Sequence, residues 1–532
     1  MTAYGDGTAH STDGTAYGED GTVHGTDGTA FGEGTALSAL PGVGGQLGEI
    51  AADLAAGLNC LWLLPDALTG DGQAEELYRA ALHTAPDRLD VQPPVAPAVP
   101  APRAPQRDAP AHRAGTPWNA DEDWGDLPGL DFDDGFDIGW SDAAPVRTAP
   151  PVGREHAVPE LFERLGKELG CGPGEVAGRL TSRSNRWRPV IGLRAWCEPD
   201  DQPPQAPPGG PGGATRGAGV ERLFRSLTAA VKDAGLPPQE RPRLLVVARL
   251  RDVPEALTGE LDRGIETTAV HWWWGTLGRL DTAMVVAAAR DRIPGRALSL
   301  EQRVLAAVRE EVVTEVGAFD LGLARRLTAA WDGRADGLAP ALRSCLDPEL
   351  IARAADCPDT GVEAGTRRRP GSSLRRAWAQ GVVQSWEGRL RRHPAAWCPA
   401  GPQNTPPELS VLVGQAQQRV VFPWIEDTRE QLARLGARYA TQPLDALVAA
   451  YLQRPPEHYR ERPEEAFRQL EAGALLAAAY AGGVAFPRED LRLLQDLVTA
   501  RNVLAHRGVL RDTTLRALCG ELTRAHRRWS KL

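Results

Sequence analysis

The chain contains very little lysine. Of its 60 basic residues only Lys167, Lys232 and Lys531 are lysines, and the remaining 57 are arginines. A phosphate-binding Walker loop needs a lysine in the pattern GxxxxGK[ST], and none of the three lysines occurs in that pattern. This absence excludes nucleotide binding through an ordinary P-loop.

Cysteine pairs and long apolar runs are also lacking. The seven cysteines are scattered without a CxxC pair, which is typical of a reducing cytosol and not of a disulfide framework. Cys345, Cys357, His393 and Cys398 have spacings that match no compact zinc-ligand pair, so we expect neither a metal site nor a cofactor. No apolar run approaches the ~18–20 residues of a membrane span. We therefore expect a cytoplasmic protein with no membrane partner.

The charge of the chain is divided between its two parts. Residues 1–150 carry 24 acidic and 6 basic side chains, a net charge of −18, whereas residues 151–532 carry 46 acidic and 54 basic side chains, a net charge of +8. The acidic excess falls where the sequence is least typical of a folded domain. The length of 532 residues corresponds to about three domains at ~100–200 residues each.

Two N-terminal segments are predicted to be disordered. Residues 1–40 form a low-complexity tail in which Asp-Gly-Thr recurs every seven residues, without the apolar positions of a coiled coil. Residues 91–154 combine a Pro/Ala linker with the acidic and aromatic segment 118–142. This composition is typical of a docking segment for a protein partner or for the basic half of the chain, and an ordinary acidic linker is the alternative.

The middle of the chain predicts a mainly parallel sheet covered by helices. Residues 41–90 form a small α/β segment with a buried strand at Leu61–Leu64, and residues 155–340 form an α/β domain interrupted by a linker at 198–218. Further strands are predicted at 190–197, 244–250, 267–274 and 282–288, because continuous apolar runs alternate with helical patterns. His271 is expected to pack in the core and not to act as a ligand or a base.

Residues 341–407 are predicted to form a basic connecting region. Trp378, Trp386 and Trp397 are interleaved with its arginines, a combination that would attract a phosphate backbone with unstacked bases. A solvated basic face is the alternative.

Residues 408–532 are predicted to form an all-α up-and-down bundle. Its helices are expected at 408–437, 443–453, 464–481, 488–507 and 512–530, with Asp512 as the N-cap of the last one. Pro423 is expected to kink or split the first helix, and Gly508 to end the fourth.

The fourth helix carries a candidate site near its end. One side is a polar stripe, formed by Gln495, Thr499, Asn502 and His506. Arg501 lies beside this stripe, at the edge of the apolar side. An arginine there must find an anion or a partner, because burying an unpaired charge is very costly.

The hexapeptide Arg501-Asn502-Val503-Leu504-Ala505-His506 resembles the Arg-x(4–6)-His signature of the HEPN superfamily, in which a polar residue commonly follows the arginine. HEPN proteins are metal-independent ribonucleases of toxin, antiviral and RNA-processing systems, and they usually act as dimers. For residues 408–532 the resemblance implies a HEPN-like bundle, RNA as the substrate and a homodimer through the bundle. It implies Arg501, Asn502 and His506 as the catalytic residues.

The chemistry suits these residues. A histidine titrates near pH ~6.5 and can act as base or acid, and an arginine presents a fixed fork of donors to a phosphate. On an ideal helix, however, Arg501 and His506 are ~140° apart around the axis and ~7.5 Å apart along it. Three arrangements could still bring both side chains to one phosphate. The last helical turn could loosen, the arginine side chain could extend around the helix, or two chains could each contribute their motif to a shared site. The family resemblance favours two chains. RNA would also contact Arg367, Arg368, Arg369, Arg375, Arg376 and Arg507.

The sequence thus predicts a multidomain chain with disordered acidic N-terminal segments, a central α/β domain and a C-terminal HEPN-like bundle. We expect an RNA endonuclease effector of a bacterial conflict or defence system, regulated by the α/β region. One alternative is a non-catalytic HEPN-like module that docks RNA or protein. The other is a degenerate NTPase-like regulator.

Overall fold

A computed structural model describes most of the chain from residue 36 onward. The described ranges are 36–94, 160–198, 217–263, 267–290, 298–355, 368–398 and 406–531. The acidic and aromatic segment 118–142, almost all of the repeat tail, most of the linker 198–218, and Arg367 lie outside these ranges.

The first of two helical groups surrounds a sheet. Its helices are α1 Pro41–Ala55, α2 Ala67–Gly70, α3 Gln73–His83, α4 Glu160–Leu169, α5 Val176–Thr181, α6 Ala218–Ala234, α7 Glu255–Arg263, α8 Arg279–Ala288, α9 Leu300–Gly317, α10 Leu321–Ala330, α11 Ala335–Cys345 and α12 Pro348–Ala355. The strands are β1 Asn59–Leu64, β2 Arg88–Asp90, β3 Val190–Arg194, β4 Arg243–Arg249 and β5 Thr268–Trp272.

These five strands form one parallel sheet in the order β2-β3-β4-β1-β5. All six residues of β1 are buried, and so are the five central residues of β4. Aliphatic strands buried on both faces are what a parallel sheet covered by helices requires. The predicted mainly parallel sheet is confirmed.

The segment 41–90 belongs to this same sheet. Its strand β1 lies between β4 and β5, and its strand β2 forms one edge. Helix α1 packs on β1 through buried Ile50 and Leu54, and α3 packs on β3 through Leu77 and Tyr78. Residues from both sides of the long linker therefore share one core.

The strand predicted at 282–288 is wrong, because this run lies in helix α8. Thr282, Val285 and Val286 are buried at the i, i+3, i+4 spacing of a helix, which a short apolar run does not distinguish from a strand. The carboxylate of Asp281 accepts hydrogen bonds from Gly278 N at 2.7 Å and Gly42 N at 2.9 Å, which anchors the first turn to α1.

The basic region after residue 367 is folded onto the sheet. It forms α13 Arg375–Ala379 and an antiparallel hairpin of β6 Val383–Trp386 and β7 Arg389–Arg392. Trp378 Nε1 and Gln384 Nε2 both donate to the carbonyl oxygen of Trp273 at 2.8 Å, directly after β5. This region therefore covers the carboxyl edge of the sheet.

The C-terminal region is helical, as predicted. Its helices are α14 Pro407–Arg438, α15 Leu444–Tyr451, α16 Pro463–Phe467, α17 Ala472–Tyr480, α18 Arg488–Ala505 and α19 Asp512–Trp529. Helix α14 continues past Pro423, so the proline does not split it, and the alternative of a kink stays a prediction. Within the part of the chain that the structure describes, none of the helices has both the length and the apolar composition that a membrane crossing demands.

Two helix ends differ from the prediction. The helix predicted at 464–481 is divided into α16 and α17, because Arg429 Nη1 binds the carbonyl oxygens of Arg468 and Leu470 at 2.7 and 3.1 Å and Leu470 turns into the core. Asp512 is the first residue of α19 and not its N-cap, a position that Arg511 holds. The Asp512 carboxylate instead accepts from Ala335 N at 3.0 Å.

A buried carboxylate joins the α/β part to the bundle. Glu315 on α9 is buried and accepts from Arg279 of α8 at 2.8 Å, from Arg391 of β7 at 2.9 Å and from Arg419 of α14. Glu311, one turn earlier, pairs with Arg279 and with Arg419. Helix α9 thereby holds elements from both parts of the molecule.

We expect Glu315→Ala to lower the free energy of unfolding by about 3–5 kcal/mol, because it leaves three guanidinium groups without their shared anion. The matched control is Glu301→Ala on the same helix, where a half-exposed carboxylate lies 3.8 Å from Arg516. That change should cost about 0–1 kcal/mol. Urea denaturation of both variants measures the difference, and equal losses would contradict it.

Candidate functional site

Helix α18 presents its candidate residues by burying its other side. Leu493, Leu494, Leu497, Ala500 and Leu504 are all buried in the bundle. Their spacing follows the apolar positions of one helix face. Asn502 and His506 are consequently exposed, and Arg501 lies at the boundary, as its sequence position predicted.

Arg501 has a partner on the neighbouring helix. Its Nη2 atom lies 2.9 Å from the Oε2 atom of Glu471, the residue before α17. The arginine side chain is 35% exposed and the glutamate side chain is 71% exposed. An exposed pair of this kind contributes little stability, so a phosphate could take the place of the carboxylate.

His506 is the C-cap of helix α18, and Arg507 adopts the left-handed conformation that we expected of Gly508. The φ angle of Arg507 is 58°, and Gly508 N donates to Val503 O at 2.8 Å. Gly508 instead lies against α14, where a side chain on Gly414 would come within 3.2 Å of its carbonyl oxygen. The close approach favours glycine at 414, and the left-handed conformation of the turn belongs to Arg507.

A buried amide secures the same turn. Gln417 of α14 donates to Leu510 O at 3.0 Å and accepts from Leu510 N at 2.7 Å. Both backbone groups would otherwise be buried without partners. The exposed end of α18 is thus attached to a rigid scaffold.

The helical hydrogen bond from His506 N to Asn502 O is intact at 3.1 Å, and α18 is regular through Ala505. A loosened last turn therefore does not bring Arg501 and His506 together. The ~140° separation around the axis remains, so one helix alone does not direct both side chains to one atom.

Two further residues on this surface were missed from the sequence. Glu471 pairs with Arg501, and Tyr480 at the end of α17 is 64% exposed with its hydroxyl 2.6 Å from Gln495 Nε2. Gln495 belongs to the polar stripe that continues to Asn502 and His506. An exposed aromatic ring beside that stripe offers a surface on which a base could stack. Only the packing of α17 against α18 shows that Glu471 and Tyr480 belong to this surface.

The basic residues of the 368–376 segment lie on the α/β part and not on α18. Arg368, Arg369 and Arg376 are exposed, whereas Arg375 is half-buried with its guanidinium 5.3 Å from the Trp272 ring centroid. Trp378 and Trp386 are buried, so the prediction that they stack on bases is wrong. Trp378 packs in the core, and the buried ring of Trp386 lies with its centroid 5.2 Å from the guanidinium carbon of Arg391.

His393 is not a zinc ligand. Its Nδ1 atom accepts from Ala395 N at 3.0 Å, and its Nε2 atom lies 3.1 Å from Asp320 Oδ2. Both ring nitrogens are therefore occupied. Among the described residues, Cys345 and Cys398 do not join it in a group with metal-ligand spacing.

A cavity of about 580 Å³ lies at the carboxyl edge of the sheet. Pro65 after β1, Trp273 after β5, and Trp378 line one side of it. Arg326 of α10 and Arg353 of α12 line another side. Its volume is within the range of about 300–1,000 Å³ of small-molecule sites, and such sheets bind ligands at this edge.

The ion pairs that Arg501 and Asp490 of α18 form should differ in their contribution to stability. We expect Glu471→Gln to change the free energy of unfolding by less than about 1 kcal/mol, because its pair is exposed. Asp490→Asn is the contrasting variant, on α18 itself, since Asp490 is buried and accepts from Arg528 at 2.6 Å. It should cost about 1–3 kcal/mol in urea denaturation. A larger loss for Glu471→Gln would show that Arg501 needs its carboxylate for folding.

Comparisons of the chain with models of protein families, with curated proteins and with solved structures find no match. The side chains that α17 and α18 expose and the cavity at the sheet edge are the features that point to a function.

Proposed function

We propose that the protein is a metal-independent RNA endonuclease of a bacterial conflict or defence system, with Arg501, Asn502 and His506 as its catalytic residues. The observation that carries the proposal is the accessible Arg501 and the exposed His506 near the end of one rigid helix, in the Arg-x4-His spacing. The HEPN-like arrangement of residues 408–532 is part of this proposal.

The residues can supply each part of the reaction. A histidine removes the proton from the ribose 2′-hydroxyl, and the resulting oxygen attacks the adjacent phosphorus. The bond to the 5′-oxygen breaks, and that oxygen receives a proton from a second acid. The guanidinium of Arg501 stabilises the charge that develops on the phosphate, and Asn502 orients the imidazole or binds a phosphate oxygen. The products are a 2′,3′-cyclic phosphate and a 5′-hydroxyl.

Two copies of the chain would complete the site. Arg501 and His506 of one regular helix diverge by ~140°, so a two-fold axis near the end of α18 would bring the arginine of one copy toward the histidine of the other. The second copy would also supply the acid that protonates the 5′-oxygen. In this assembly Glu471 holds Arg501 in place until RNA displaces it.

The α/β part is positioned to regulate the bundle. Helix α9 packs directly against α14 and α19, and Glu315 binds Arg419 of α14. A ligand or partner that shifts α9 would therefore act on the scaffold that holds α18. The basic arginines of the 368–376 segment would guide RNA by charge and not by stacking.

Arg501→Ala and His506→Ala should each reduce RNA cleavage by about 10²-fold or more, because each removes a group that acts in the transition state. Cleavage of labelled total RNA, with EDTA added together with the RNA, measures the rates, and the products should carry 2′,3′-cyclic phosphate.

The matched controls are Arg524→Ala, which removes an exposed arginine paired with Glu521 at 2.7 Å, and the exposed His458→Ala. Neither control should change the rate. Undiminished cleavage by both Arg501→Ala and His506→Ala would overturn the nuclease proposal. RNA binding without cleavage by the intact chain would favour the docking module, for which the pairing of Arg501 with Glu471 is the supporting contact.

A second candidate function is ligand-dependent regulation by a degenerate NTPase-like domain, which the cavity at the sheet edge favours. The loop after β1 carries Asp66 and Asp71 and no lysine, so phosphates would depend on Arg326 and Arg353. The half-buried Leu68 and Leu350 line the cavity and offer apolar surface to a base.

We expect ADP or ATP to raise the melting temperature of the full chain without being hydrolysed, because a ligand that binds only the folded state stabilises it. Arg326→Ala and Arg353→Ala should abolish the shift, and Arg303→Ala, an exposed change on α9, should preserve it. Differential scanning fluorimetry measures the shift. An identical response of all four proteins would exclude the cavity as the binding site.

A further inference from the structure

Three side chains of different chemistry meet beneath helix α1. They are Asp53 of α1, Cys60 of β1 and His271 of β5, and their Oδ, Sγ and ring-nitrogen atoms all lie within 4.8 Å of one another. This cluster is separate from α18 and from the cavity at the sheet edge.

The sheet register brings the cluster together. In the pairing of β1 with β5, Cys60 lies opposite Ala269 and Trp62 lies opposite His271. Alternate residues of a strand point to the same face, so Cys60 and His271 are diagonal neighbours on one face. Helix α1 packs on β1, and its Ile50 carbonyl oxygen lies 3.8 Å from Cys60 Sγ.

His271 is largely buried with its Nε2 atom directed at Asp53. Its side chain is only 10% exposed, and Nε2 lies 3.0 Å from Asp53 Oδ2. The Sγ atom of Cys60 lies within 4.8 Å of both groups. Three different ligand atoms that converge in this way point to a cation between them.

We propose that Asp53, Cys60 and His271 bind a transition-metal ion, with Zn²⁺ as the expected occupant. Sulfur, imidazole nitrogen and carboxylate oxygen are the ligands that zinc accepts in tetrahedral sites. The set excludes Mg²⁺ and Ca²⁺, which require oxygen ligands. On binding, the Cys60 proton passes to solvent and the thiolate coordinates the ion.

The surrounding charges fit a divalent ion. Glu49 lies one turn before Asp53 on the same side of α1, and its charge acts on His271 together with that of Arg368. The Cys60 thiolate and the two carboxylates would balance one divalent cation and one guanidinium. Glu49 or a water would complete the fourth position, and the exposed Glu49 provides a route of entry.

The ion would connect α1 to β1 and β5. It would stabilise the α/β part without contributing to RNA cleavage, which the proposed chemistry performs without metal. Its role is therefore structural, and its test does not depend on the nuclease.

Metal analysis of the purified full chain tests the site. After dialysis against metal-free buffer, the chain should retain about one zinc ion, and Cys60→Ala, His271→Ala and Asp53→Asn should each lose it. Cys519→Ala, which removes a buried thiol on α19, is the matched control and should keep the ion. In the Co²⁺-substituted protein a thiolate-to-cobalt absorption band should appear and should be absent from Cys60→Ala.

The intact chain provides a readout even if a core variant fails to fold. Zn²⁺ should raise the melting temperature of metal-free protein, and Mg²⁺ should not. Absence of stoichiometric zinc together with no thermal shift would overturn the proposal. Full zinc retention by folded Cys60→Ala and His271→Ala would overturn it as well.

Discussion

The molecule depends on one buried anion, the carboxylate of Glu315. Arginines from α8, β7 and α14 converge on it, so all of its hydrogen bonds form only when three separate segments are in place. A buried ion is tolerated only with such partners, because its desolvation is otherwise uncompensated. The position of α14, and through it the exposed end of α18, follows from this requirement.

The candidate nuclease surface and the candidate metal cluster use charge in opposite ways. Arg501 is paired only weakly at the surface, where solvent screens its charge and a phosphate can compete. Cys60 is fully buried and His271 is largely buried, so a charge in this cluster needs partners close by. A weakly paired surface arginine suits a substrate that binds and dissociates, whereas a buried set of ligands suits a permanently bound ion.

Much of the fold could be predicted from local pattern. The aliphatic runs of β1 and β4 are long enough to require cover on both faces, and the apolar side of α18 is evident from Leu493, Leu497 and Leu504. The run at 282–288 was wrongly predicted to be a strand, because a short apolar run is compatible with either a strand or a helix. The prediction that Trp378 and Trp386 are accessible to bases was also wrong, since composition does not tell whether an aromatic ring faces solvent or is buried.

The amino-acid pattern is sufficient to show that Asn502 and His506 lie on the polar side of α18 and that Arg501 lies at the edge of its apolar side. Spacing within a helix depends only on neighbours a turn away, so it can be read from the chain. The tertiary structure alone decided that Glu471 meets Arg501, that β1 lies between β4 and β5, and that Cys60 therefore faces His271. These contacts join residues far apart in the chain, and no local pattern specifies them, because they follow from which surfaces bury each other.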